Sequence, residues 1–365
     1  MIHPLTGSDP RTLARLIRTL GPPAAGAWPT LAGALGSAIG RGPLSILERG
    51  YVAVSRPGAG MPPPIFLLGH WRSGTTHLFN LLSGAPSVTY ARPIPTGMPW
   101  DFLFLGRALR PLLERAIPSQ RGIDPMAVTP DAPQEDEIAL AGMGVPSYYH
   151  GVYFPRAFRQ EMARGLFFDG CNAVERDRWR RALRQFTAKV ATAGGGRRVL
   201  IKNPAHTAKV REIRAIWPEA KFVHIVRNPY HVYQSTFRMF DDLLDMLALQ
   251  PVDRDQVTAA VHESYPRMIQ RVTADTADLP SNAFVQVRFE DLESAPLDVV
   301  DRIARQLDLP DRDGLRSAAQ AHLAAVADYR SRTRDVDAPT ARAVETHWGR
   351  ERAMLGYERV DPGTP

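Results

Sequence analysis

The stretch that decides the fold runs from residue 65 to residue 76 and reads IFLLGHWRSGTT. Its first four residues are large and apolar and lie between a proline-rich linker and Gly69, which is typical of a short buried parallel strand. Gly69 and Gly74 have the GxxxxG spacing of a phosphate-binding P-loop that leads into a helix. The backbone N–H groups of such a loop and of the helix N-terminus converge on one point, so we expect an anion to bind there.

The loop departs from the P-loop of nucleoside-triphosphate hydrolases at one position. The lysine of that motif is replaced by Thr75, and a cation stands earlier in the loop, at Arg72. Without the lysine, and without an evident acidic partner for magnesium, hydrolysis of a magnesium-bound triphosphate is poorly supported. Taken alone, the segment is also compatible with an ordinary glycine-containing turn between a strand and a helix.

Three further apolar runs have the character of buried strands, at residues 199–201, 222–226 and 284–289. Each is followed by a segment that suits a helix, and the first two of these helices begin with Asn-Pro, at Asn203 and Asn228. Strands that alternate with helices indicate a parallel sheet covered on both faces. The sequence therefore predicts an α/β fold, a P-loop architecture of three α/β/α layers around a central parallel sheet.

Composition divides the chain into three parts. We predict an N-terminal helical segment at residues 1–60, the P-loop domain at 61–330 and a polar C-terminal segment of uncertain structure at 331–365. Within the domain, residues 97–190 are predicted to be a helical insertion that forms the cleft for a second ligand. The aromatic residues of this insertion fit an apolar, aromatic or lipid-like ligand, but an ordinary helical core explains them equally well.

The longest uncharged stretch lies between Arg18 and Arg41 and is rich in glycine, alanine and proline. It is long enough to cross a bilayer, but it lacks the large apolar residues of a transmembrane helix and the compact apolar core of a signal peptide. We expect a loose helical segment that packs on the main domain, no transmembrane segment and a cytoplasmic location. A peripheral membrane contact and a homodimer contact are the alternatives for this segment.

The composition limits the kinds of site and partner. The chain has 365 residues, with 45 lysines and arginines against 38 acids, and the net charge of +7 favours anionic partners. The basic residues are spread among nearly as many acids, which disfavours a nucleic-acid-binding surface. The single cysteine, Cys171, excludes an internal disulfide and a cysteine-based zinc or iron–sulfur site. The usual metal-ligand spacings are missing from the sequence, so we expect that no metal is required.

Side chains that suit anion binding stand at the ends of two predicted strands. Lys202 ends the second strand, Arg227 ends the third, and Ser235 follows Arg227 by two helical turns. Ligands of open α/β sheets bind at the carboxyl edge, and arginine suits bidentate recognition of phosphate. Each residue alone is explained as well by a surface charge or a salt bridge. Together with the loop, they predict a ligand with two separated anionic groups.

Four segments together resemble the sulfotransferases that use 3′-phosphoadenosine 5′-phosphosulfate (PAPS). They are FLLGHWRSGTTHLFNLL, VLIKNPAHT, FVHIVRNPYHVYQSTF and VRFEDLESAP, and the RSGTT loop is similar to that of the family's bacterial branch. The resemblance covers residues 64 to 310 and implies transfer of a sulfuryl group from PAPS to a hydroxyl or amine. The acceptor would be a small molecule, a glycan or a lipid, and the nucleotide product would be 3′-phosphoadenosine 5′-phosphate (PAP).

The resemblance also implies roles for individual residues. The loop residues that would bind the 5′-phosphosulfate are Arg72, Ser73, Gly74, Thr75, Thr76 and His77. Arg227 and Ser235 match the pair that holds the 3′-phosphate, and Phe289 takes the place of a tyrosine near the adenine. Arg72, where the cytosolic animal enzymes have a lysine, and Lys202 would stabilise the charge that grows on the departing phosphate.

The residue that removes the acceptor proton stays open at this level. The histidine of the family falls at Pro204 in this chain, and His206 lies two residues further on. An acidic run that includes Glu135 and Asp136 resembles a motif of the bacterial branch, although acids also favour the first turn of a solvated helix. The third alternative is His70 or another group.

Two other functions also stay open. A P-loop phosphotransferase that uses ATP would depend on magnesium and would have to work without the loop lysine. A nucleotide-binding regulator of the same fold would bind the 3′,5′-bisphosphate nucleotide and transfer nothing.

Overall fold

The computed structural model describes residues 2–55, 57–58, 60–115, 129–326 and 335–360. Its strands are β1 (Ile65–Leu68), β2 (Val88–Thr89), β3 (Arg198–Lys202), β4 (Lys221–Val226) and β5 (Phe284–Arg288). Its α-helices are α1 (Pro10–Leu20), α2 (Trp28–Ser55), α3 (Thr75–Ser83), α4 (Pro93–Gly97), α5 (Arg110–Arg115), α6 (Glu137–Gly142), α7 (Tyr149–Tyr153), α8 (Phe158–Phe167), α9 (Ala173–Ala193), α10 (Val210–Arg214), α11 (Pro229–Leu247), α12 (Arg254–Thr276), α13 (Phe289–Ser294), α14 (Pro296–Gln306), α15 (Arg312–Ala325) and α16 (Ala338–Met354). Short 3-10 helices span Pro4–Gly7, Ala25–Ala27, Pro155–Ala157 and Pro204–Ala208, and a π-helical turn spans Phe102–Gly106.

Among the described residues, five strands form one sheet in the order β2-β3-β1-β4-β5. β1 pairs in parallel with β3 and with β4, and β4 pairs in parallel with β5. All four residues of β1 are buried, as expected for the central strand of a parallel sheet that is covered on both faces. The predicted α/β fold with a central parallel sheet is confirmed.

The register of the sheet brings the ends of the strands to one edge. Leu67 of β1 lies opposite Lys202 of β3, and Val226 of β4 lies opposite Arg288 of β5. Because these strands run in the same direction, the residues that follow them, among them Arg227, lie at the edge that also carries the loop after β1. The sheet thus places the predicted anion-binding residues along one edge.

The chain divides into two compact units. The first consists of Met1–Pro62, Tyr90–Val199 and Phe240–Val257, and the second of Pro63–Thr89, Leu200–Met239 and Thr258–Pro365. The second unit contains the loop after β1 and nearly all of the sheet, whereas the first is helical. The N-terminal segment and the insertion 97–190 thus fall in the same unit, although they are predicted from the sequence as separate parts of the chain. The domain boundaries given above stay a prediction.

The N-terminal segment forms defined helices where the sequence suggests a loose one. The Asp9 side chain caps α1 by accepting the Thr12 N–H at 2.8 Å, and α2 continues for 28 residues with Pro43 inside it. Within the described ranges, neither α2 nor any other helix is long and apolar enough to cross a membrane.

A buried ion pair joins α2 to α9 within the first unit. Lys189 Nζ lies 2.6 Å from Glu48 Oε1 and donates to the Pro99 carbonyl at 2.6 Å. The other carboxylate oxygen of Glu48 accepts the Phe104 N–H at 2.8 Å. Both charged side chains are almost fully buried, and desolvation lowers the pKa of Lys189 although Glu48 acts against that shift. Buried charges are stable only with such partners, so this pair fixes which side of α2 faces inward.

Two helix starts follow the predicted capping, but two predicted elements differ in extent. The Asn203 side chain accepts the Ala205 N–H at 2.9 Å, and the Asn228 side chain accepts the Tyr230 N–H at 3.1 Å. The segment after Asn203 is a 3-10 helix followed by the short α10, not the single helix expected from its sequence. The last strand ends one residue early, because Phe289 already belongs to α13.

The polar C-terminal segment contains α16. The Asp337 side chain caps this helix by accepting the Thr340 N–H at 2.8 Å. Ala341, Val344 and Trp348 are buried, and their spacing is that of one helix face. The segment therefore packs through an apolar stripe that its many charges conceal in the sequence.

Candidate active site

Hydrogen bonds hold the loop between β1 and α3 at its start. The Gly69 N–H donates to Thr207 Oγ1 at 2.8 Å, and the Thr207 hydroxyl donates to the Gly69 carbonyl at 3.2 Å. Further along, the Ser73 hydroxyl donates to the His70 carbonyl at 2.7 Å. These hydrogen bonds within the protein therefore fix the path of the loop.

Arg72, with φ 66°, and Gly74, with φ 94°, have a left-handed backbone. For Arg72 this conformation costs about 1–2 kcal/mol, and such strain persists where the surrounding contacts impose it. At Gly74 a side chain is excluded for a second reason, because a Cβ there would lie 2.1 Å from Cδ2 of Phe289. The loop can thus keep this shape only with glycine at position 74.

The N-terminus of α3 has the features of an anion site. Gly74 is its N-cap residue and has no side chain with which to cap the helix. The first N–H groups of α3 have no acceptor inside the helix, and the helix dipole favours negative charge at this end. The buried hydroxyl groups of Ser73 and Thr75 flank the same turn. These donors fit an oxyanion such as a phosphate or sulfuryl group.

Two guanidinium groups and one hydroxyl meet beside this helix end. Arg72 Nε donates to Ser235 Oγ at 2.7 Å, and one terminal nitrogen of Arg227 donates to the Arg72 carbonyl at 3.3 Å. The guanidinium carbon of Arg227 also lies 4.1 Å from the ring centroid of Phe289, which is a cation–π contact. The structure thus brings Arg72, Arg227, Ser235 and Phe289 together.

Glu290, in the first turn of α13, supports this cluster. One of its carboxylate oxygens accepts the Asn228 N–H at 2.9 Å, and the other accepts the Tyr357 hydroxyl at 2.9 Å. Burial, followed by the nearby Glu290, raises the pKa of the Tyr357 hydroxyl, so it stays protonated and donates. Since Asn228 directly follows Arg227, Glu290 holds the backbone next to Arg227.

Thr207, Glu290 and Tyr357 make hydrogen bonds that hold the loop and the backbone beside Arg227, and they were not among the residues predicted from the sequence. Thr207 and Glu290 lie inside two of the segments that resemble the family, close in sequence to Lys202 and Phe289. Their position in those segments could have identified them. Tyr357 lies far along the chain from its partner, and no local pattern points to it.

Lys202 lies at the end of β3 and His206 lies in the 3-10 helix that follows. Lys202 is the last residue of that strand and its side chain is buried. His206 is fully buried, and its ring packs edge-to-face on the ring of Phe66 at 5.6 Å between centroids. Phe66 belongs to the central strand, so His206 has the surroundings of a core residue.

His70 and His77 are also packed against other rings. The His70 ring lies 5.0, 5.1 and 5.7 Å from the rings of Trp71, Tyr265 and Trp348, and burial lowers its pKa to about 3. A group with so low a pKa is a weak base at neutral pH. The His77 ring lies 6.2 Å from that of His322, and burial, with a smaller effect of His322, lowers the pKa of His77.

The acidic run lies in the other, helical unit. Asp136 is 2% exposed and Glu137 is fully buried, whereas Glu135 is half-buried. Glu137 Oε1 accepts the Ser147 hydroxyl at 2.7 Å. A solvated helix start would leave these carboxylates in water, so their burial contradicts that reading of the run.

The predicted site residues therefore divide between the two units. Those in the sheet-containing unit are Arg72, Ser73, Gly74, Thr75, Thr76, His77, Lys202, His206, Arg227, Ser235 and Phe289. Those in the helical unit are Glu135 and Asp136.

The comparisons with known proteins all indicate the same family. A family model described as the sulfotransferase family matches residues 63–313. The ω-hydroxy-β-dihydromenaquinone-9 sulfotransferase Stf3 of Mycobacterium tuberculosis is 31% identical over 304 residues, which make up 82% of this chain and 76% of the relative. The protein of the same name from Mycobacterium bovis matches to the same extent.

Two crystal structures share the fold at low sequence identity. The sulfotransferase STF9 of Mycobacterium avium superposes with a TM-score of 0.68 and 15% identity, over 96% of this chain and 97% of the other. The sulfotransferase STF1 of Mycobacterium tuberculosis superposes with a TM-score of 0.61 and 18% identity, over 93% of this chain and 90% of the other.

We predict that Gly74→Ala disrupts the loop. Its Cβ would meet the Phe289 ring in a left-handed backbone, and we expect the free energy of unfolding to fall by about 2–4 kcal/mol. Urea denaturation measures this change. Gly97→Ala is the matched control, since a Cβ at position 97 meets nothing within 4 Å. Equal stability of Gly74→Ala and the wild type would contradict the loop geometry.

We also predict that His70 makes the fold acid-sensitive. Its folded-state pKa of about 3 lies below the unfolded value, so its stabilisation is complete above about pH 6.5 and is lost as the pH falls from there toward 3. At pH 5 the loss attributable to His70 is about 2 kcal/mol. Urea denaturation at pH 7 and pH 5 should show a drop in stability that is smaller in His70→Phe by that amount.

Tyr265→Phe is the control for this experiment, because it alters the same aromatic cluster and removes no group that titrates in this range. A pH dependence in His70→Phe as steep as in the wild type would refute the assignment to His70.

Proposed function

This chain belongs to the sulfotransferase family and is an enzyme of sulfuryl transfer, and from that premise we propose that its donor is PAPS. The observation that carries the proposal is the meeting of the uncapped N-terminus of α3 with the guanidinium groups of Arg72 and Arg227. This arrangement offers donors for more than one anionic group on a single ligand.

We assign the two ends of the nucleotide to different residues. The loop residues 72–77 bind the 5′-phosphosulfate, and Arg227 with Ser235 binds the 3′-phosphate. Ser235 accepts its hydrogen bond from Arg72, which leaves its own O–H free to donate to a phosphate oxygen. The face of the Phe289 ring supports Arg227, and the exposed remainder of the ring contacts the adenine.

PAPS supplies the sulfuryl group and leaves as PAP. In the proposal, the chain contributes positive charge near the departing phosphate, from Arg72, from Lys202 and from the N–H groups of α3. These groups are held in place before the reaction, since the loop is fixed by Thr207 and Lys202 ends a buried strand. No metal has a role in this proposal.

We propose the acidic run at Glu135 and Asp136 as the source of the base that takes the acceptor proton. Its support is that Asp136 is 2% exposed, which a solvated helix start would not explain. His206 is the alternative, and its packing against Phe66 makes it the weaker one.

For the acceptor, we propose an apolar molecule that carries a hydroxyl group. The support is the relative named for an ω-hydroxylated dihydromenaquinone. The aromatic residues that the sequence offered as a cleft lining do not add to it, because they are buried in the helical core: Tyr148, Tyr149, Tyr153, Phe154, Phe158, Phe167 and Phe168.

Binding of PAP, measured by thermal shift and calorimetry, tests the donor. We expect PAP to stabilise the protein and Arg227→Ala to weaken its binding by about 10- to 100-fold, since charged hydrogen bonds contribute about 1.5–3 kcal/mol. Arg214→Ala is the control, a partly exposed arginine paired with Asp278 in the same unit. Stabilisation by ATP with magnesium but not by PAP would instead favour a phosphotransferase.

Kinetics with an ω-hydroxylated isoprenoid quinone as acceptor test the base. We expect Glu135→Gln or Asp136→Asn to lower kcat by about 10²- to 10⁴-fold while PAP binding is unchanged. His206→Gln is the comparison. If His206→Gln alone removes activity and the two carboxylate variants keep it, the acidic run is not the base. PAP binding without transfer of a sulfuryl group to any acceptor would favour the nucleotide-binding regulator of the same fold.

A further inference from the structure

The exposed half of α2 carries no charge. Its three charged residues all lie on the side that faces the protein, and each is paired there. Arg41 binds Asp101 at 2.7 Å, Glu48 binds Lys189 at 2.6 Å and Arg49 binds Asp9 at 2.9 Å. The usual pattern of a surface helix is the reverse, with the charges in water and the apolar residues inside.

The outward half of α2 is apolar along its whole length. Its large exposed side chains are Trp28, Leu35, Ile39, Leu44, Ile46, Leu47, Tyr51 and Val54. Ile39, Ile46 and Leu47 are each more than 60% exposed. At 100° per residue these positions cover one half of the helix, and the three charged residues fall in the other half.

The exposed apolar surface continues onto the neighbouring segment of the same unit. Phe104 lies 5.2 Å from Tyr51 between ring centroids, and its backbone N–H donates to Glu48. Beyond it, Leu109 and Leu112 are exposed as well. We call the exposed side chains of α2 together with Phe104, Leu109 and Leu112 the apolar face. Large exposed apolar side chains grouped in this way mark an interaction site.

Basic residues border the apolar face. Arg107, Arg110 and Arg115 are exposed on the segment that carries Leu109 and Leu112. Of these, Arg110 is paired with Glu114 of the same helix. Apolar side chains beside exposed arginines complement a surface that is apolar inside and anionic at its border. That is the chemistry of a bilayer with acidic headgroups.

We propose that the apolar face docks on the surface of an anionic lipid bilayer, with α2 lying in the plane of the interface. α2 lies on the bilayer and does not cross it, which agrees with its lack of a membrane-spanning character. Trp28 and Tyr51, toward the two ends of the helix, are residues that favour the headgroup level. A second copy of this chain is the weaker occupant, because it would bring two arginine-rich borders together. The proposal does not rest on the assignment of PAPS.

Co-sedimentation of the full chain with vesicles tests the proposal. We expect binding to phosphatidylcholine vesicles that contain about 30 mol% phosphatidylglycerol, weaker binding to phosphatidylcholine alone, and weaker binding in about 0.5 M salt. Ile39→Glu combined with Ile46→Glu should lower the affinity by about tenfold or more. Val174→Glu, at an exposed valine of α9 outside the apolar face, should leave it unchanged.

Arginine variants test the electrostatic part of the proposal independently. Arg107→Ala and Arg115→Ala should each lower the affinity for the anionic vesicles by about fivefold and have little effect with phosphatidylcholine alone. Thermal melting and the response to PAP should match the wild type in all variants, which separates a lost docking surface from a damaged fold or donor site.

Two results would overturn the proposal. One is equal vesicle binding by the wild type and the Ile39→Glu, Ile46→Glu variant. The other is a dimer in analytical ultracentrifugation that this variant dissociates, in a protein that does not bind vesicles.

Discussion

The uncapped N-terminus of α3 is the constraint on which the site depends. A helix start without a capping side chain leaves backbone N–H groups that need an acceptor from elsewhere. Gly74 creates this situation, because it has no side chain and because its left-handed backbone turns the chain into the helix. The Phe289 ring closes the space that a side chain at position 74 would need. A bound oxyanion is the natural acceptor for such a helix end.

A chain of contacts connects this helix end to the C-terminal part of the protein. Tyr357 binds Glu290, Glu290 binds the backbone beside Arg227, and Arg227 binds the carbonyl of Arg72. A second link runs from the Tyr230 hydroxyl to Glu345 of α16. Tyr357 thus contributes to holding the backbone next to Arg227, although it lies far from Arg227 in the sequence.

Local sequence patterns predicted the elements that depend on interactions between residues close together in the chain. The strand at 65–68, the loop with Gly74, and the Asn-Pro starts at Asn203 and Asn228 follow from short-range sterics and capping. The strand-end positions of Lys202 and Arg227 follow from the alternation of strands and helices. Their assembly at one edge is then a property of any parallel sheet.

Other features depend on contacts between distant residues, and no short pattern encodes them. The Thr207 clamp on Gly69 and the Tyr357 contact with Glu290 are of this kind. α16 was hidden because its buried stripe is interrupted by many charges. The arrangement of α2 is also of this kind, since its three charged residues pair with Asp101, Lys189 and Asp9, which lie far from them in the sequence.

The most direct test of the proposed site is a crystal structure of the protein with bound PAP. We expect the 5′-phosphate at the N–H groups of residues 74–76, and the 3′-phosphate within hydrogen-bond distance of Arg227 and Ser235. A nucleotide bound with its phosphates away from both the α3 N-terminus and Arg227 would contradict it.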